Sequence, residues 1–210
     1  MDIKRLLTGG AGELGVPLSA GQADAFMLYL SELRKWNQKT NLTAIEEPKE
    51  IIVKHFLDSL SLIRILPEGA KNAADIGSGA GFPGIPIKIA VPGLFITSVE
   101  PAHKKAVFQR HIIRLLCLEG IRVEEAKVEE LAAGPERFGV IFSRAFREPE
   151  GVLSLAGPLM LEGGKVILSL GPSVGEEPPA GWEIGCSQVV TLPFSDIKRT
   201  LTSYKRSRLL

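Results

Sequence analysis

The chain has 210 residues, and 45% of them are hydrophobic. A chain of this length and apolar content can fill a sizeable core, which excludes a disordered protein. Its 25 Lys and Arg residues almost balance its 24 Asp and Glu residues. Any nucleic-acid partner would therefore be bound by a local basic patch and not by the net charge of the molecule.

Neither cysteine belongs to a short C-x-x-C pair, because Cys117 and Cys186 lie far apart in the sequence. This spacing disfavours a structural zinc site and a disulfide framework, and we expect no metal. No apolar run approaches the roughly 18 residues of a membrane-spanning helix, and the apolar residues near the N-terminus are too few for a signal peptide. We expect a cytosolic protein, a monomer, with no membrane partner.

Residues 1–66 are predicted to form an N-terminal helical cap on a main domain at 67–210. Apolar residues in the first part recur at steps of three or four, which is the spacing of one helix face. Ser19 and Gln22 form an S-x-x-Q capping box at the start of one helix. A second helix begins near Pro48, since proline suits the first turn.

From Ala73 onward, short apolar strands alternate with helix-length stretches. The first connections are too long for hairpins and have helical spacing, which predicts parallel strands in an α/β fold. The predicted strands lie at 73–77, 94–100, 121–125, 138–143 and 164–170, with two further β-like runs at 184–192 and 199–206.

The segment Asp75-Ile76-Gly77-Ser78-Gly79-Ala80-Gly81-Phe82-Pro83-Gly84 runs from a strand through a glycine-rich turn into a helix. Glycines at such a turn allow positive φ and let a ligand approach the backbone, and the helix start offers unpaired N–H groups. Ligands of open parallel sheets bind at this edge. The turn therefore predicts a nucleotide-like ligand.

Two cofactor classes compete for this turn. The stretch 79–84 matches G-x-G-x-x-G, which would indicate a dinucleotide and an NAD(P)-dependent oxidoreductase. However, the match begins two residues after Gly77, and Asp75 would repel a pyrophosphate. A carboxylate there suits the ammonium group of S-adenosylmethionine, which carries no phosphate. Glu100, at the end of the second strand, could accept hydrogen bonds from ribose hydroxyls in either class.

Several motifs occur in the order in which they appear in one protein family. They are Trp36-Asn37, Asn41-Leu42-Thr43, His55-Phe56-Leu57-Asp58-Ser59, the glycine turn as far as Pro86, and Ser143-Arg144-Ala145-Phe146. Over roughly residues 20–206 the chain resembles the bacterial RsmG (GidB) family. The resemblance implies a class I S-adenosylmethionine-dependent methyltransferase, whose doubly wound, mainly parallel sheet has seven strands. It implies methylation of guanine N7, at guanine 527, in 16S ribosomal RNA or the small ribosomal subunit.

Carried over by position, the resemblance implies cofactor contacts at Gly77, Phe82, Val128, Glu129 and Arg144. To these the reasoning from the residues adds Asp75, Gly79 and Glu100. The resemblance also implies RNA contacts at Lys104, Lys105 and Arg199. Two positions depart from the family pattern: Lys127 stands where Arg is usual, and Leu170-Gly171 replaces Lys-Gly, which removes a cation from this edge.

The end of the chain is basic, which predicts a second set of RNA contacts. Several cations follow Asp196 with no acid among them, and such a cluster could neutralise phosphates. Lys205 and Arg206 are the tail residues assigned to RNA, and we expect the tail to border the acceptor side of the sheet. The whole cluster comprises Lys198, Arg199, Lys205, Arg206 and Arg208.

Guanine N7 carries a lone pair and no proton, so its methylation needs no general base, and no catalytic residue is assigned. Arg144 is expected to orient oxygens of the acceptor or cofactor. His55 is expected to be a packed residue with a hydrogen-bonded ring. Besides the oxidoreductase, a non-catalytic RNA- or ribosome-binding assembly factor remains as an alternative.

Overall fold

The computed structural model describes residues 2–144, 148–171 and 177–207. Over these residues one mixed sheet has seven strands in the order β3-β2-β1-β4-β5-β7-β6. β1 to β5 are parallel, and β7 is antiparallel to both β5 and β6. The strands are β1 (Asn72–Ile76), β2 (Phe95–Val99), β3 (Ile121–Glu124), β4 (Phe138–Arg144), β5 (Met160–Leu170), β6 (Trp182–Thr191) and β7 (Lys198–Arg206).

The predicted fold class and all seven predicted strands are confirmed. The largest difference is in β5, which begins at Met160 and not at Gly164. Its pairing with β4 shifts register between Phe138 and Val140. Gly163 has a φ of 72° within this part of β5, and a glycine there lets the strand bulge and still pair.

The helices pack on both faces of the sheet, as the predicted doubly wound fold requires. Ser19 and Gln22 form the predicted capping box, and a helix starts at Pro48. The chain continues from that helix through a π-helical segment (Ile52–Leu57). The helices are α1 (Ile3–Glu13), α2 (Ala20–Thr40), α3 (Pro48–Ile51), α4 (Asp58–Ser61), α5 (Gly84–Ala90), α6 (His103–Leu115), α7 (Val128–Ala132) and α8 (Pro149–Ala156).

Two hydrophobic clusters cover the sheet. One cluster includes Phe26 and Phe56 from the first 66 residues together with Phe142 of β4 and Leu201 of β7. The other lies on the opposite face and is covered by α7 and α8. The first 66 residues therefore share a core with the sheet, and the boundary at residue 66 stays a prediction.

Cys117 is exposed in the turn after α6, where its φ of 50° belongs to the left-handed region. None of the helices in the described ranges has the length and apolar character needed to cross a membrane.

Candidate cofactor and acceptor site

The carboxyl ends of β1, β2 and β4 meet at one edge of the sheet, and the glycine turn lies there. The strand order reverses between β1 and β4, which is the position where such sheets bind ligands. The backbone N–H groups of Gly77 and Ser78 donate to the Val99 carbonyl at 3.0 and 3.2 Å. These bonds attach the turn to the end of β2.

Gly79 and Gly81 have positive φ for different reasons. A Cβ on Gly79, at φ 60°, would meet nothing within 4 Å, so this part of the turn faces open space. A Cβ on Gly81 would lie 2.5 Å from Ile85 Cδ1 and 2.9 Å from the Tyr29 hydroxyl. A ligand can therefore approach the backbone at Gly79, whereas Gly81 is closed by packing.

This packing is unfavourable for a dinucleotide. In a G-x-G-x-x-G turn the second glycine leaves room for the pyrophosphate. The second glycine of the literal match is Gly81, and the Tyr29 hydroxyl and Ile85 already cover it. The geometry of the turn thus argues against the oxidoreductase alternative.

Asp75 lies fully buried behind the turn. Its Oδ2 accepts a hydrogen bond from the Gly84 N–H at 2.7 Å and so joins the start of α5 to β1. Its Oδ1 is buried and has no partner among the described residues. Burial raises the pKa of Asp75 to about 7, although the Gly84 N–H and the Arg144 charge act in the opposite direction. An orphaned acceptor at this place fits a donor such as a ligand ammonium group.

Glu100 follows β2 and lies beside the open part of the turn. Its carboxylate accepts from the Gly79 N–H at 2.8 Å and from the Ala102 N–H at 2.9 Å. Each oxygen is thereby used once, and a carboxylate oxygen can accept a second hydrogen bond. The side chain is therefore fixed and keeps acceptor capacity, and its predicted contact with ribose hydroxyls stays a prediction.

Gln109 of α6 supports the same turn, and the sequence analysis missed it. Its amide nitrogen donates to Ser78 Oγ and to the Gly79 carbonyl at 2.8 and 2.7 Å, and its Oε1 accepts from Ser98 at 2.6 Å. The residue is completely buried. The sequence signal for this role is a polar glutamine beside Phe108 on the apolar face of an amphipathic helix, because a buried amide needs hydrogen-bond partners.

Val128 and Glu129 form the first turn of α7, directly after β3. Val128 is buried in the cluster beneath α7, and Glu129 is exposed. β3 is the neighbour of β2, so both residues lie at the edge that carries Glu100. Their predicted contact with the cofactor stays a prediction.

Arg144 ends β4 and is held mainly by the first 66 residues. Its Nη1 donates to the Lys54 carbonyl at 2.6 Å and to Asp58 Oδ2 at 3.0 Å, and its Nη2 donates to His55 Nδ1 at 2.9 Å. The guanidinium lies 5.4 Å from the centre of the Phe82 ring. The structure thus brings together two predicted cofactor residues, while Ala145 and Phe146 of the same motif lie outside the described residues.

His55 has the packed, hydrogen-bonded ring that was predicted. The ring is stacked on Phe82 with a centroid distance of 4.5 Å, and its Nε2 is 2.8 Å from Thr43 Oγ1. Burial, with help from the Arg144 charge, lowers the pKa of His55 to about 3. We infer a neutral imidazole that accepts from Arg144 at Nδ1 and donates to Thr43 at Nε2.

Asp58 is the second residue of the site that the sequence analysis did not assign. It is 1% exposed, and besides Arg144 its carboxylate accepts from Ser169 Oγ at 3.1 Å and from Arg199 Nε at 3.2 Å. Arg199, predicted to contact RNA, is thus paired with a buried acid. The motif His55-Phe56-Leu57-Asp58-Ser59 contained Asp58, but sequence spacing could not show which cations it contacts.

A cavity of about 860 Å³ opens between these residues, the carboxyl ends of β4 and β5, and the antiparallel strand β7, which begins at this edge. Its volume is in the range of small-molecule pockets. Arg144 and His55 belong to its wall and also contact Phe82 of the glycine turn. The site therefore has two parts, the open glycine turn with Glu100 and the cavity, and they meet at Arg144. Besides Asp58, the acidic residues on the cavity wall are Glu148, Glu150 and Glu177.

The two predicted groups of RNA-binding cations, Lys104 with Lys105 and Lys205 with Arg206, lie at opposite edges of the sheet. Lys104 and Lys105 are in the first turn of α6, just after Glu100 at the ligand edge. Lys205 and Arg206 end β7, whose Tyr204 pairs with Val166 near the amino ends of the parallel strands. The expectation that the tail borders the acceptor side is wrong for these two residues, because β7 runs antiparallel.

The partners of the two tail residues agree with this position. Lys205 forms an ion pair with Glu183 at 3.0 Å, and Arg206 lies over the Trp182 ring at 4.6 Å. Lys198 and Arg199, at the other end of β7, do lie at the ligand edge. Arg208 lies outside the described residues.

Comparison with known proteins identifies the family. The model of the GidB family, described as rRNA small subunit methyltransferase G, matches residues 22–181. A ribosomal RNA small subunit methyltransferase G from Geobacter metallireducens is 43% identical, over 95% of this chain and 94% of its own. One from Syntrophotalea carbinolica is 37% identical, over 97% and 96%.

Solved structures show the same fold. A ribosomal protein L11 methylase from Lactobacillus delbrueckii subsp. bulgaricus superposes with a TM-score of 0.54 at 15% identity, covering 74% of this chain and 79% of that chain. At this identity the likeness concerns the fold alone. The two full-length relatives and the family model together show that the chain belongs to the GidB family, the rRNA small subunit methyltransferases G.

Proposed function

We propose that the protein transfers the methyl group of S-adenosylmethionine to N7 of a guanine in 16S ribosomal RNA, at position 527. The observation that carries this proposal is the meeting, at Arg144, of an open glycine turn and a separate cavity. One part suits the donor and the other an acceptor base. Family membership supports the methyltransferase activity and the small-subunit RNA substrate.

The residues at the turn fit the proposed cofactor. When bound, S-adenosylmethionine supplies an electrophilic methyl group on a sulfonium. Glu100 would accept from its ribose hydroxyls, and the backbone at Gly79 leaves room for close approach. Asp75 Oδ1 is the buried acceptor available to its amino group.

The cavity suits a guanine taken out of its stack. The N7 edge of guanine presents two acceptors, N7 and O6, and its opposite edge presents N–H donors. A guanidinium N–H of Arg144 would donate to O6, which leaves the N7 lone pair free, and carboxylate acceptors come from Glu148 and Glu150. Because N7 already has its lone pair, these groups need only hold the base in line with the methyl group and exclude water.

The test is methyl transfer by the purified protein to small ribosomal subunits and to free 16S RNA. We expect labelled methyl groups in one of these substrates, with mass mapping of the nucleosides showing one 7-methylguanosine. Binding of S-adenosylmethionine without transfer to either substrate would favour the assembly factor. Calorimetric binding of NAD(P)H and not of S-adenosylmethionine would favour the oxidoreductase.

Glu100→Ala should weaken binding of S-adenosylmethionine by about 1.5–3 kcal/mol, because a charge-assisted acceptor for ribose is lost. The variant also loses the acceptor that holds the Gly79 N–H. Calorimetry measures the dissociation constant, and Glu68→Ala, an exposed acid remote from the turn, is the control. Unchanged affinity in Glu100→Ala would remove the ribose role from this residue.

The two pairs of basic residues, Lys104 with Lys105 and Lys205 with Arg206, should differ in their effect on RNA binding. Changing Lys104 and Lys105 to Ala should reduce the salt dependence of binding to single-stranded RNA by up to about 1.4 units of slope, since each phosphate contact contributes roughly 0.7. Changing Lys205 and Arg206 to Ala, at the opposite edge, should leave the slope unchanged. The measurement is the dissociation constant at several salt concentrations. The reverse result would place the RNA at the other edge of the sheet.

We also propose that the protein acts as a monomer in the cytosol, where small ribosomal subunits are assembled. The support is that the two parts of the site are formed by residues of one chain. Sedimentation of the active protein tests the oligomeric state, and an active dimer alone would contradict it.

A further inference from the structure

A buried acid of the helical cap joins three strands at the site. Asp58 is 1% exposed, and its carboxylate accepts from Arg144 of β4, Ser169 of β5 and Arg199 of β7. These three side chains belong to adjacent strands: Arg144 pairs with Ser169, and Arg199 lies two residues before Leu201, the partner of Ser169 on β7. A buried acid between two guanidinium groups adds little net stability but restricts their geometry strongly.

His55, three residues earlier, holds the same arginine from a second direction. Its Nδ1 accepts from Arg144 Nη2 at 2.9 Å, and stacking on Phe82 together with the contact to Thr43 fixes the ring. Arg144 therefore receives two side-chain acceptors from the cap, on Nη1 and on Nη2, in addition to the Lys54 carbonyl.

The donors of Arg144 can be counted. A guanidinium has five N–H bonds. The two on Nη1 go to Lys54 and Asp58, and one on Nη2 goes to His55. The Nε–H and the second N–H of Nη2 have no acceptor within the described part of the chain. These two donors belong to a side chain on the wall of the cavity.

We propose that His55 and Asp58 are positioning residues for methyl transfer, which hold Arg144 so that its two remaining N–H groups serve an oxygen of the bound acceptor or cofactor. Neither residue touches the reacting atoms in this arrangement. Both act through Arg144, so the helical cap contributes directly to the geometry of the site. The inference rests on the proposed function.

A double-mutant cycle tests the proposal. Asp58→Asn should lower kcat for methylation by about 10- to 100-fold, the scale of a misplaced group. In an Arg144→Ala background the same substitution should cause no further loss of kcat. Glu50→Gln, the same chemical change at an exposed position of the cap, is the control and should leave kcat unchanged.

Additive losses in the two backgrounds would overturn the proposal, because Asp58 would then act through Arg199 or through packing. His55→Phe gives a second route if Asp58→Asn does not fold, since it keeps a ring on Phe82 and removes the Nδ1 acceptor. It should lower kcat by about tenfold, again only when Arg144 is present.

The third readout does not depend on activity. In the protein without cofactor, ¹⁵N NMR should show slow rotation of the Arg144 guanidinium, and Asp58→Asn should make it fast. Rotation that is already fast in the unchanged protein would contradict the proposed positioning. Absence of methyl transfer by the unchanged protein, with slow rotation present, would instead contradict the proposed function alone.

Discussion

A Gly77→Val protein is expected to fold and to lose about 3 kcal/mol of binding free energy for S-adenosylmethionine, roughly a 100-fold weaker affinity. Gly77 has a φ of 72°, which a β-branched residue adopts only with strain. Relief of that strain would displace the turn, whose Gly77 N–H donates to the Val99 carbonyl and whose Gly79 N–H donates to Glu100. Calorimetry measures the affinity.

Gly69→Val is the matched control. Gly69 has the same φ of 72°, a Cβ there would meet nothing within 4 Å, and the residue lies in the turn before β1. The control should have a similar loss in thermal stability and an unchanged affinity. Equal affinities of the two variants would show that the ligand does not bind at this turn.

His55→Gln is expected to alter the dependence of stability on pH. The pKa of His55 is about 3 in the folded protein and ordinarily 6.5, so below pH 6.5 only the unfolded chain takes up this proton. The neutral ring therefore contributes fully to the free energy of unfolding above pH 6.5, and this contribution is lost as the pH falls toward 3. The free energy of unfolding of His55→Gln, minus that of the unchanged protein, should therefore increase by about 1.4 kcal/mol for each unit by which the pH falls below 6.5.

Asp75 changes the stability with pH in the opposite direction, over almost the same pH range. Its pKa is about 7 in the folded protein against 3.8 ordinarily, so its contribution is complete below pH 3.8 and is lost as pH rises through 7. The two residues should therefore nearly cancel in the unchanged protein between pH 4 and 6.5. In His55→Gln, the effect of Asp75 should appear as stability that increases on acidification.

Urea unfolding at several pH values measures both effects. A difference for His55→Gln that does not change between pH 6.5 and 4 would mean that the imidazole is protonated in the folded state.

The fold was predictable because its signals are local. The alternation of apolar strands with helical spacing gave each strand within a few residues, and Ser19 with Gln22 marked a helix start through contacts between near neighbours. The bulge in β5 was missed, because a shift of register depends on the pairing with β4 and not on β5 alone.

The site was predictable only in part. The glycine turn and Glu100 could be predicted because each lies at the end of a strand, and in the structure the Gly79 N–H donates to the Glu100 carboxylate. The partners of Asp58 could not be predicted, because Arg144 and Arg199 lie far from it in the sequence and meet it through the strand order. The predicted position of the basic tail was wrong for the same reason. Arg199 and Lys205 are close in sequence, but they lie near opposite ends of β7 and therefore at opposite edges of the sheet.

The position of β7 has a consequence for synthesis on the ribosome. β7 is inserted between β5 and β6, and its Arg199 completes the set of contacts around Asp58. An emerging chain can form β1 to β5 and the cap early, but the wall of the cavity closes only after the residues of β7 have left the exit tunnel. A chain truncated before Lys198 should therefore lack Arg199, one of the three side-chain donors to Asp58, and with it part of the cavity wall.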